Sequence, residues 1–95
     1  MKRSLVLTPK FTRAFRKFVR HDARLQKRIE ETMRQMETDV FAVALGTHKL
    51  SGVLSGLRAC ACGYDCRIVF SLEQDLDSGK EVLVLLDFGS HDEVY

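Results

Sequence analysis

The chain has 95 residues, of which 45% are hydrophobic and 29% are charged, with one Pro and no Trp. This composition predicts a single domain over residues 1–95 with one modest core, and it excludes a disordered chain. No stretch approaches the roughly 18 uninterrupted apolar residues of a membrane span, and the apolar part of the N-terminus is shorter than the roughly 7–15 residues of a signal-peptide core. We therefore expect a cytoplasmic protein without a membrane partner.

The net charge of +2 is distributed unevenly along the chain. Residues 1–35 contain eleven Lys or Arg and three Asp or Glu, a balance of +8, whereas residues 36–95 contain four and ten, a balance of −6. A basic half of this kind suits an RNA, DNA or acidic protein partner. Two solvated helix faces are the alternative interpretation.

The first half of the sequence predicts a strand followed by two helices. Residues 4–7 form the strand, Thr8 is a candidate N-cap, and Pro9 suits the first helical position. Asp22 is the candidate cap of the second helix, and we interpret His21 in the connection as structural. Both helices carry one apolar stripe at helical spacing, which predicts an antiparallel pair with its stripes in the core. The stripes comprise Phe11, Ala14, Phe15, Phe18 and Val19, then Leu25, Ile29, Met33 and Met36.

The second half predicts three strands. Residues 40–45 suggest a short helical turn, and a glycine-containing loop carrying His48 and Lys49 follows. The strands cover 57–62, 65–72 and 81–88, joined by a tight turn at 63–64 and an exposed turn at 73–80. The predicted fold class is α+β in the order β-α-α-β-β-β, with two N-terminal helices packed on one face of a small, mainly antiparallel twisted sheet.

Side-chain alternation assigns the middle strand's residues to two faces. The face that meets the helices carries Cys66, Ile68, Phe70 and Leu72. The opposite face carries Asp65 and Arg67, and we expect Arg58 of the preceding strand to join it. His91 and Tyr95 follow the last strand and can reach the rim of that face.

The three cysteines, Cys60, Cys62 and Cys66, are spaced C-x-C-x₃-C. Their odd number argues against a disulfide framework. A zinc site would need a fourth ligand, and the spacing matches no standard zinc motif. We therefore expect buried strand thiols and neither a metal nor another cofactor.

Several short motifs together resemble toxins of the RelE/ParE superfamily, and most closely the YafQ-type branch of RelE ribonucleases. The resemblance includes the order of elements and the basic helix pair. The motifs are, in chain order, Leu50-Ser51-Gly52, Gly63-Tyr64 followed by Arg67-Ile68-Val69-Phe70, and Gly89-Ser90-His91-Asp92-Glu93-Val94-Tyr95. The resemblance spans nearly the whole chain and is strongest over 48–70 and 89–95. It depends on the order and spacing of the motifs, since each alone is short.

This resemblance implies a RelE-like fold and the toxin of a type II toxin–antitoxin module. Such a toxin is a ribosome-dependent endonuclease that cuts mRNA in the A site and inhibits translation. Its partners would be the ribosome, mRNA and a cognate antitoxin, with a heterotetramer as the candidate assembly. The alternatives are a ParE-like toxin that inhibits DNA gyrase without chemistry, and an inactive relative that only binds antitoxin or RNA.

The resemblance also implies residue roles. His91 matches the C-terminal catalytic His, His48 the His of the preceding loop, and Asp65 the catalytic Asp of the hairpin. Tyr95 matches the terminal aromatic, and Arg67 the RelE-type Arg that holds the scissile phosphate. The sequence departs from the YafQ pattern at residue 61, where Ala replaces a His.

The chemistry of these side chains suits RNA cleavage without a metal, which yields a 2′,3′-cyclic phosphate and a 5′-hydroxyl. We expect His91 to be the general acid and Asp65 or His48 the base. Arg67, helped by Arg58, would bind the phosphate, and Tyr95 would position the nucleotide. Further RNA contacts are expected from Lys49, Arg13, Arg16 and Arg20.

Overall fold

The structure is a computed structural model that describes residues 3–50, 52, 56–62 and 66–89. Its elements are β1 (Ser4–Leu7), α1 (Pro9–Phe18), α2 (Ala23–Asp39), a 3₁₀ turn (Val43–Leu45), β2 (His48–Lys49), β3 (Arg58–Ala61), β4 (Arg67–Gln74) and β5 (Glu81–Gly89). The strand order in the sheet is β1-β5-β4-β3-β2, with β1 parallel to β5 and the other pairs antiparallel. The predicted α+β fold class is confirmed.

Both helices begin where the sequence predicts, at side-chain caps. The Phe11 amide donates to Thr8 Oγ1 at 3.2 Å, and the Leu25 amide donates to Asp22 Oδ1 at 3.0 Å. Thr8 Oγ1 also donates to the Leu85 carbonyl at 2.8 Å, which fixes the start of α1 against β5. Between the helices, His21 has a left-handed φ of 67° in the turn that the Asp22 amide closes by donating to the Val19 carbonyl at 2.9 Å.

The core lies between the helices and one face of the sheet, which we call the helix face. Phe11, Ile29 and Met36 of the helices are fully buried there, against a strand set comprising Cys60, Ile68, Phe70, Leu83 and Leu85. The opposite face, which we call the second face, has a smaller apolar cluster of Leu50, Leu57, Ala59 and Val69. The predicted stripes of both helices and the two-face pattern of β4 are confirmed.

A β-bulge in β5 decides which of its C-terminal side chains enter the core. The register between β4 and β5 shifts beside Val69, so that Leu86 has no residue opposite it. Uninterrupted alternation after Leu85 would turn Asp87 towards the helices and Phe88 away from them. With the bulge, Phe88 is only 6% exposed, and its ring lies edge-on to three Phe rings of α1 at centroid distances of 4.8 to 6.1 Å.

The second half of the chain departs from prediction in two places. The segment expected to be a loop contains β2, and the Leu50 amide extends its pairing by donating to the Leu57 carbonyl at 3.0 Å. The middle strand begins at Arg67 and continues to Gln74, two residues beyond the predicted end. Within the described ranges, neither helix has the length and apolar character needed to cross a membrane.

The expectation that all three cysteines are thiols is wrong for one pair. The Cys62 amide donates to the Cys66 carbonyl at 3.0 Å, the Cα atoms lie 5.0 Å apart, and a disulfide joins the two residues. An odd number of cysteines excludes complete pairing but not one local bridge across a hairpin. Cys60 is a buried thiol, and desolvation raises its pKa to about 12 against the opposing effect of the Arg67 guanidinium.

Candidate functional site

The pairing of β2, β3 and β4 brings two predicted site residues to the second face. Residues directly opposite each other in an antiparallel pair share a face. His48 lies opposite Ala59, and Ala61 lies opposite Arg67, while Ala59 and Ala61 share a face by alternation. His48 and Arg67 are therefore on the same face, two strands apart, and ordinary strand spacing puts their Cα atoms about 12 Å apart. Both side chains can reach one group bound between them.

The hydrogen bonding of His48 defines which ring nitrogen is basic. The side chain is exposed, and Nδ1 lies 3.0 Å from the Gly46 carbonyl oxygen. A carbonyl oxygen only accepts, so Nδ1 carries the proton of the neutral ring and Nε2 is the basic nitrogen. Gly46 adopts the left-handed conformation, with φ of 57°, that ends the 3₁₀ turn before β2.

Arg67 has small neighbours on both adjacent strands. The side chain is partly buried, and Nη1 donates to the Cys66 carbonyl at 2.8 Å, which orients the guanidinium. Its cross-strand partners are Ala61 on β3 and Gly89 on β5. Neither partner has a side chain long enough to cover a guanidinium. A planar cation in this position can bind a phosphate through paired N–H donors.

Three predicted catalytic residues, Asp65, His91 and Tyr95, lie outside the described residues, and their roles remain predictions. In the sequence, Asp65 precedes Arg67 by two positions, and His91 follows Gly89, the residue opposite Arg67, by two positions.

The expectation that Arg58 lies beside Arg67 is wrong. Arg58 is directly opposite Phe70, a core residue of the helix face. Its guanidinium carbon lies 5.8 Å from the ring centroid of Phe41, which follows α2. The number of residues in the β3–β4 turn sets the register, and a shift of one residue moves every side chain to the opposite face. Lys49, opposite Arg58, is on the same side as Arg58.

The three arginines predicted to contact RNA from the first helix form a separate surface. Arg13 and Arg16 are exposed on α1, three residues apart, and Arg20 is exposed just beyond its end. None of the three forms an ion pair within the part of the chain that the structure describes, whereas Lys10 Nζ lies 3.1 Å from Asp87 Oδ2. These cations belong to the helix layer and do not join His48 and Arg67.

Phe41 is a surface residue that the sequence analysis did not single out. It stands in the apolar run 40–45, which favours a buried interpretation, yet it is 51% exposed. The guanidinium carbons of Arg3 and Arg58 lie 5.6 and 5.8 Å from its ring centroid. Arg3 is also paired with Glu81 at 3.0 Å. No local sequence pattern predicts this cluster, because its members come from three distant segments.

Several solved structures share this fold over nearly their full length. A YoeB/ParE toxin from Agrobacterium tumefaciens has 20% identity over 93% of this chain and 98% of that one, with a TM-score of 0.74. A copper-bound mutant toxin from Helicobacter pylori has 26% identity over 100% of both chains, with a TM-score of 0.68. YafQ in the Escherichia coli DinJ–YafQ toxin–antitoxin complex has 13% identity over 100% of this chain and 99% of that one, with a TM-score of 0.72.

No protein-family model matches the sequence, and no curated protein is a detectable relative in sequence. The structural matches confirm the fold that the resemblance to RelE/ParE-superfamily and YafQ-type toxins predicted.

Proposed function

We propose that this chain, which has the fold of RelE/ParE-superfamily toxins, is the toxin of a type II toxin–antitoxin module and cleaves mRNA on the ribosome in the cytoplasm. The best support is that His48 and Arg67 share one face of the sheet. Arg67 also lies opposite Gly89, the last residue of β5, and His91 follows Gly89 by two positions in the sequence. The antitoxin partner of YafQ in its complex with DinJ supports a cognate antitoxin for this chain.

The reaction needs a base, a cation and an acid. The base takes the proton of the 2′-hydroxyl, whose oxygen attacks phosphorus, and the bond to the 5′-oxygen breaks as the acid protonates that oxygen. The products are a 2′,3′-cyclic phosphate and a 5′-hydroxyl. Nε2 of His48 or the carboxylate of Asp65 serves as base, and His91 serves as acid. Arg67 stabilises the charge that develops on the phosphorane, and Tyr95 stacks on the nucleotide.

Ala61, the residue opposite Arg67, supports the proposal that Arg67 partly compensates for a missing imidazole. Ala61 stands where the YafQ pattern has a His, so one acid–base group of that pattern is absent. Ala61 ends in a methyl group, so this residue does not itself cover the guanidinium of Arg67. A cation there binds the non-bridging oxygens, and proton transfer is left to His48, Asp65 and His91.

The position of Arg58 revises its role in this mechanism. Because its guanidinium is on the helix side, the scissile phosphate is assigned to Arg67 alone. Arg13, Arg16 and Arg20 provide sequence-independent attraction to ribosomal RNA or to an acidic antitoxin, and binding through them weakens as salt rises.

The test is the chemistry of the product ends. The purified chain is incubated with ribosomes carrying a defined mRNA, and the cleaved RNA is analysed for a 5′-hydroxyl and a 2′,3′-cyclic phosphate within the A-site codon. We expect both ends with the unmodified chain and no cleavage with His91→Ala. His21→Asn is the matched control, since Asn tolerates the left-handed backbone at that position, and it should cleave normally. Intact mRNA with the unmodified chain would refute the proposal.

The resemblance to the RelE/ParE superfamily leaves gyrase inhibition by a ParE-like toxin as the second candidate, and one similar structure is named a YoeB/ParE toxin. Gyrase inhibition by binding needs no acid–base set, so His91→Ala should retain toxicity in that case. Induced cells would then show altered plasmid supercoiling before protein synthesis falls. The ribonuclease proposal predicts the reverse order, and a chain that binds antitoxin without any growth defect would be an inactive relative.

A further inference from the structure

We propose that Lys49, Arg58 and Phe41 form a second RNA subsite, which binds a phosphate and a base of the substrate strand outside the cleavage position. The inference extends the proposed ribonuclease function, since it assumes that RNA is the substrate. Arg58 and Phe41 are on the helix side, and the cleft beside Arg58 lies at the sheet edge, where Leu50 and Leu57 of the second-face cluster also line it. The proposed chemistry is on the second face, further along the strands.

The first argument is that two cationic residues lie directly opposite each other on neighbouring strands. Lys49 and Arg58 are cross-strand partners in the β2–β3 pair, where like charges destabilise the pairing. Neither side chain forms an ion pair with any carboxylate of the described segments. Two uncompensated positive charges at one position are unfavourable for the isolated fold, and an anionic ligand between them would remove the repulsion.

The second argument is the shape of the surface around them. Lys49 and Arg58 line a cleft of about 330 Å³ together with Leu50, Gly56 and Leu57. This is at the small end of the roughly 300–1,000 Å³ that ligand clefts occupy. The cleft lies at the β2–β3 end of the sheet. Its volume is large enough for a phosphate group.

The third argument is the exposed aromatic ring beside the arginine. Phe41 is 51% exposed and lies 5.8 Å from the Arg58 guanidinium carbon. The second arginine at this ring, Arg3, is neutralised by Glu81, so the uncompensated charge belongs to Arg58. Single-stranded RNA is bound by this combination, in which a base stacks on an aromatic face while a nearby cation holds the phosphate. An acidic peptide would use the cations but would not require the ring.

The position of the subsite separates it from the cleavage site. Arg58 is opposite Phe70, three residues along β4 from Arg67, which corresponds to about 10 Å along the strand, and its side chain is on the other face. The subsite therefore holds a different phosphate from the one assigned to Arg67. We expect it to contribute to binding of the RNA and not to the rate of the chemical step.

The experiment measures binding without cleavage. A fluorescently labelled single-stranded RNA with 2′-O-methyl groups lacks the attacking hydroxyl, and its affinity for the full-length chain is followed by anisotropy over a range of salt concentrations. Arg58→Gln should weaken binding about tenfold, in line with the loss of a charge-assisted hydrogen bond. It should also reduce the slope of log affinity against log salt by about 0.7, the value for one phosphate contact with a single strand.

Three further variants control the interpretation. Arg24→Gln removes the same charge from an exposed position of α2 and should change affinity less than twofold. Phe41→Leu should weaken binding about fivefold or more through lost stacking, with the salt slope unchanged. Lys49→Gln gives an independent measure of the cleft and should also lower the salt slope.

Equal effects of Arg58→Gln and Arg24→Gln would overturn the subsite, because they would indicate diffuse attraction. Unchanged RNA affinity in Arg58→Gln with weaker binding of polyglutamate would also overturn it and assign the cleft to an acidic protein. The predicted losses with 2′-O-methyl RNA, together with no cleavage of unmodified mRNA, would support the subsite while refuting the proposed nuclease. The two proposals can thus fail independently.

Discussion

The substitution Phe88→Ala tests the β-bulge near the end of β5. Phe88 is 6% exposed and contacts three Phe rings of α1 edge-on. Truncating a buried Phe to Ala costs about 3–5 kcal/mol of unfolding free energy. A domain of this size is stable by only about 5–15 kcal/mol, so the loss should be plainly measurable.

Two matched variants separate the contributions. Phe88→Leu keeps most of the buried apolar volume but removes three aromatic pairs, each worth roughly 0.5–1.5 kcal/mol, so its cost should be about 1.5–4.5 kcal/mol and below that of Phe88→Ala. Leu76→Ala, in the exposed β4–β5 turn at 96% exposure, should change stability by less than about 0.5 kcal/mol. Urea unfolding followed by circular dichroism measures all three variants against the unmodified chain.

The result that refutes this reasoning is a Phe88→Ala variant as stable as Leu76→Ala. It would mean that Phe88 faces solvent, as uninterrupted alternation in β5 requires, and that the bulge at Leu86 is absent. Asp87 would then point towards the helices in place of Phe88.

Three further predictions concern local features of the fold. Reducing the Cys62–Cys66 disulfide should lower the free energy of unfolding by about 2 kcal/mol, as loop-closure entropy predicts for a separation of four residues, and a double Ser variant should no longer respond to reductant in urea unfolding. Cys60 should resist a thiol-specific reagent at pH 8 in the folded protein, because burial raises its pKa to about 12 and keeps it protonated, and rapid labelling without unfolding would contradict this. Thr8→Val should cost about 1–2 kcal/mol through loss of the α1 cap, and an unchanged melting temperature would argue against the observed hydrogen bonds.

Local signals explain how much of the first half of the fold could be predicted. A cap is defined by residues three positions apart, as in Thr8 with Phe11 and Asp22 with Leu25, so the sequence contains all the information that places the helix starts. The apolar stripes of α1 and α2 are equally local. The same is true of the two faces of β4, which follow from alternation within one strand.

Non-local pairing explains what the sequence did not reveal. The face of Arg58 depends on the β3–β4 register, and the direction of Phe88 depends on a bulge that only pairing with β4 defines. The two-residue strand β2 is too short to show any periodicity. The Phe41 cluster and the Cys62–Cys66 bridge likewise form only after the chain has folded.

The single-turnover cleavage rate of A-site mRNA, measured at increasing protein concentration, tests the proposed assignment of chemistry to the second face most directly. Arg67→Gln should lower the plateau rate about 100-fold or more, as expected when one donor to a developing oxyanion is removed. Arg58→Gln, on the opposite face, should raise the protein concentration needed for half-maximal rate and leave the plateau unchanged. An unchanged plateau in Arg67→Gln, or a collapsed plateau in Arg58→Gln, would contradict the proposed site.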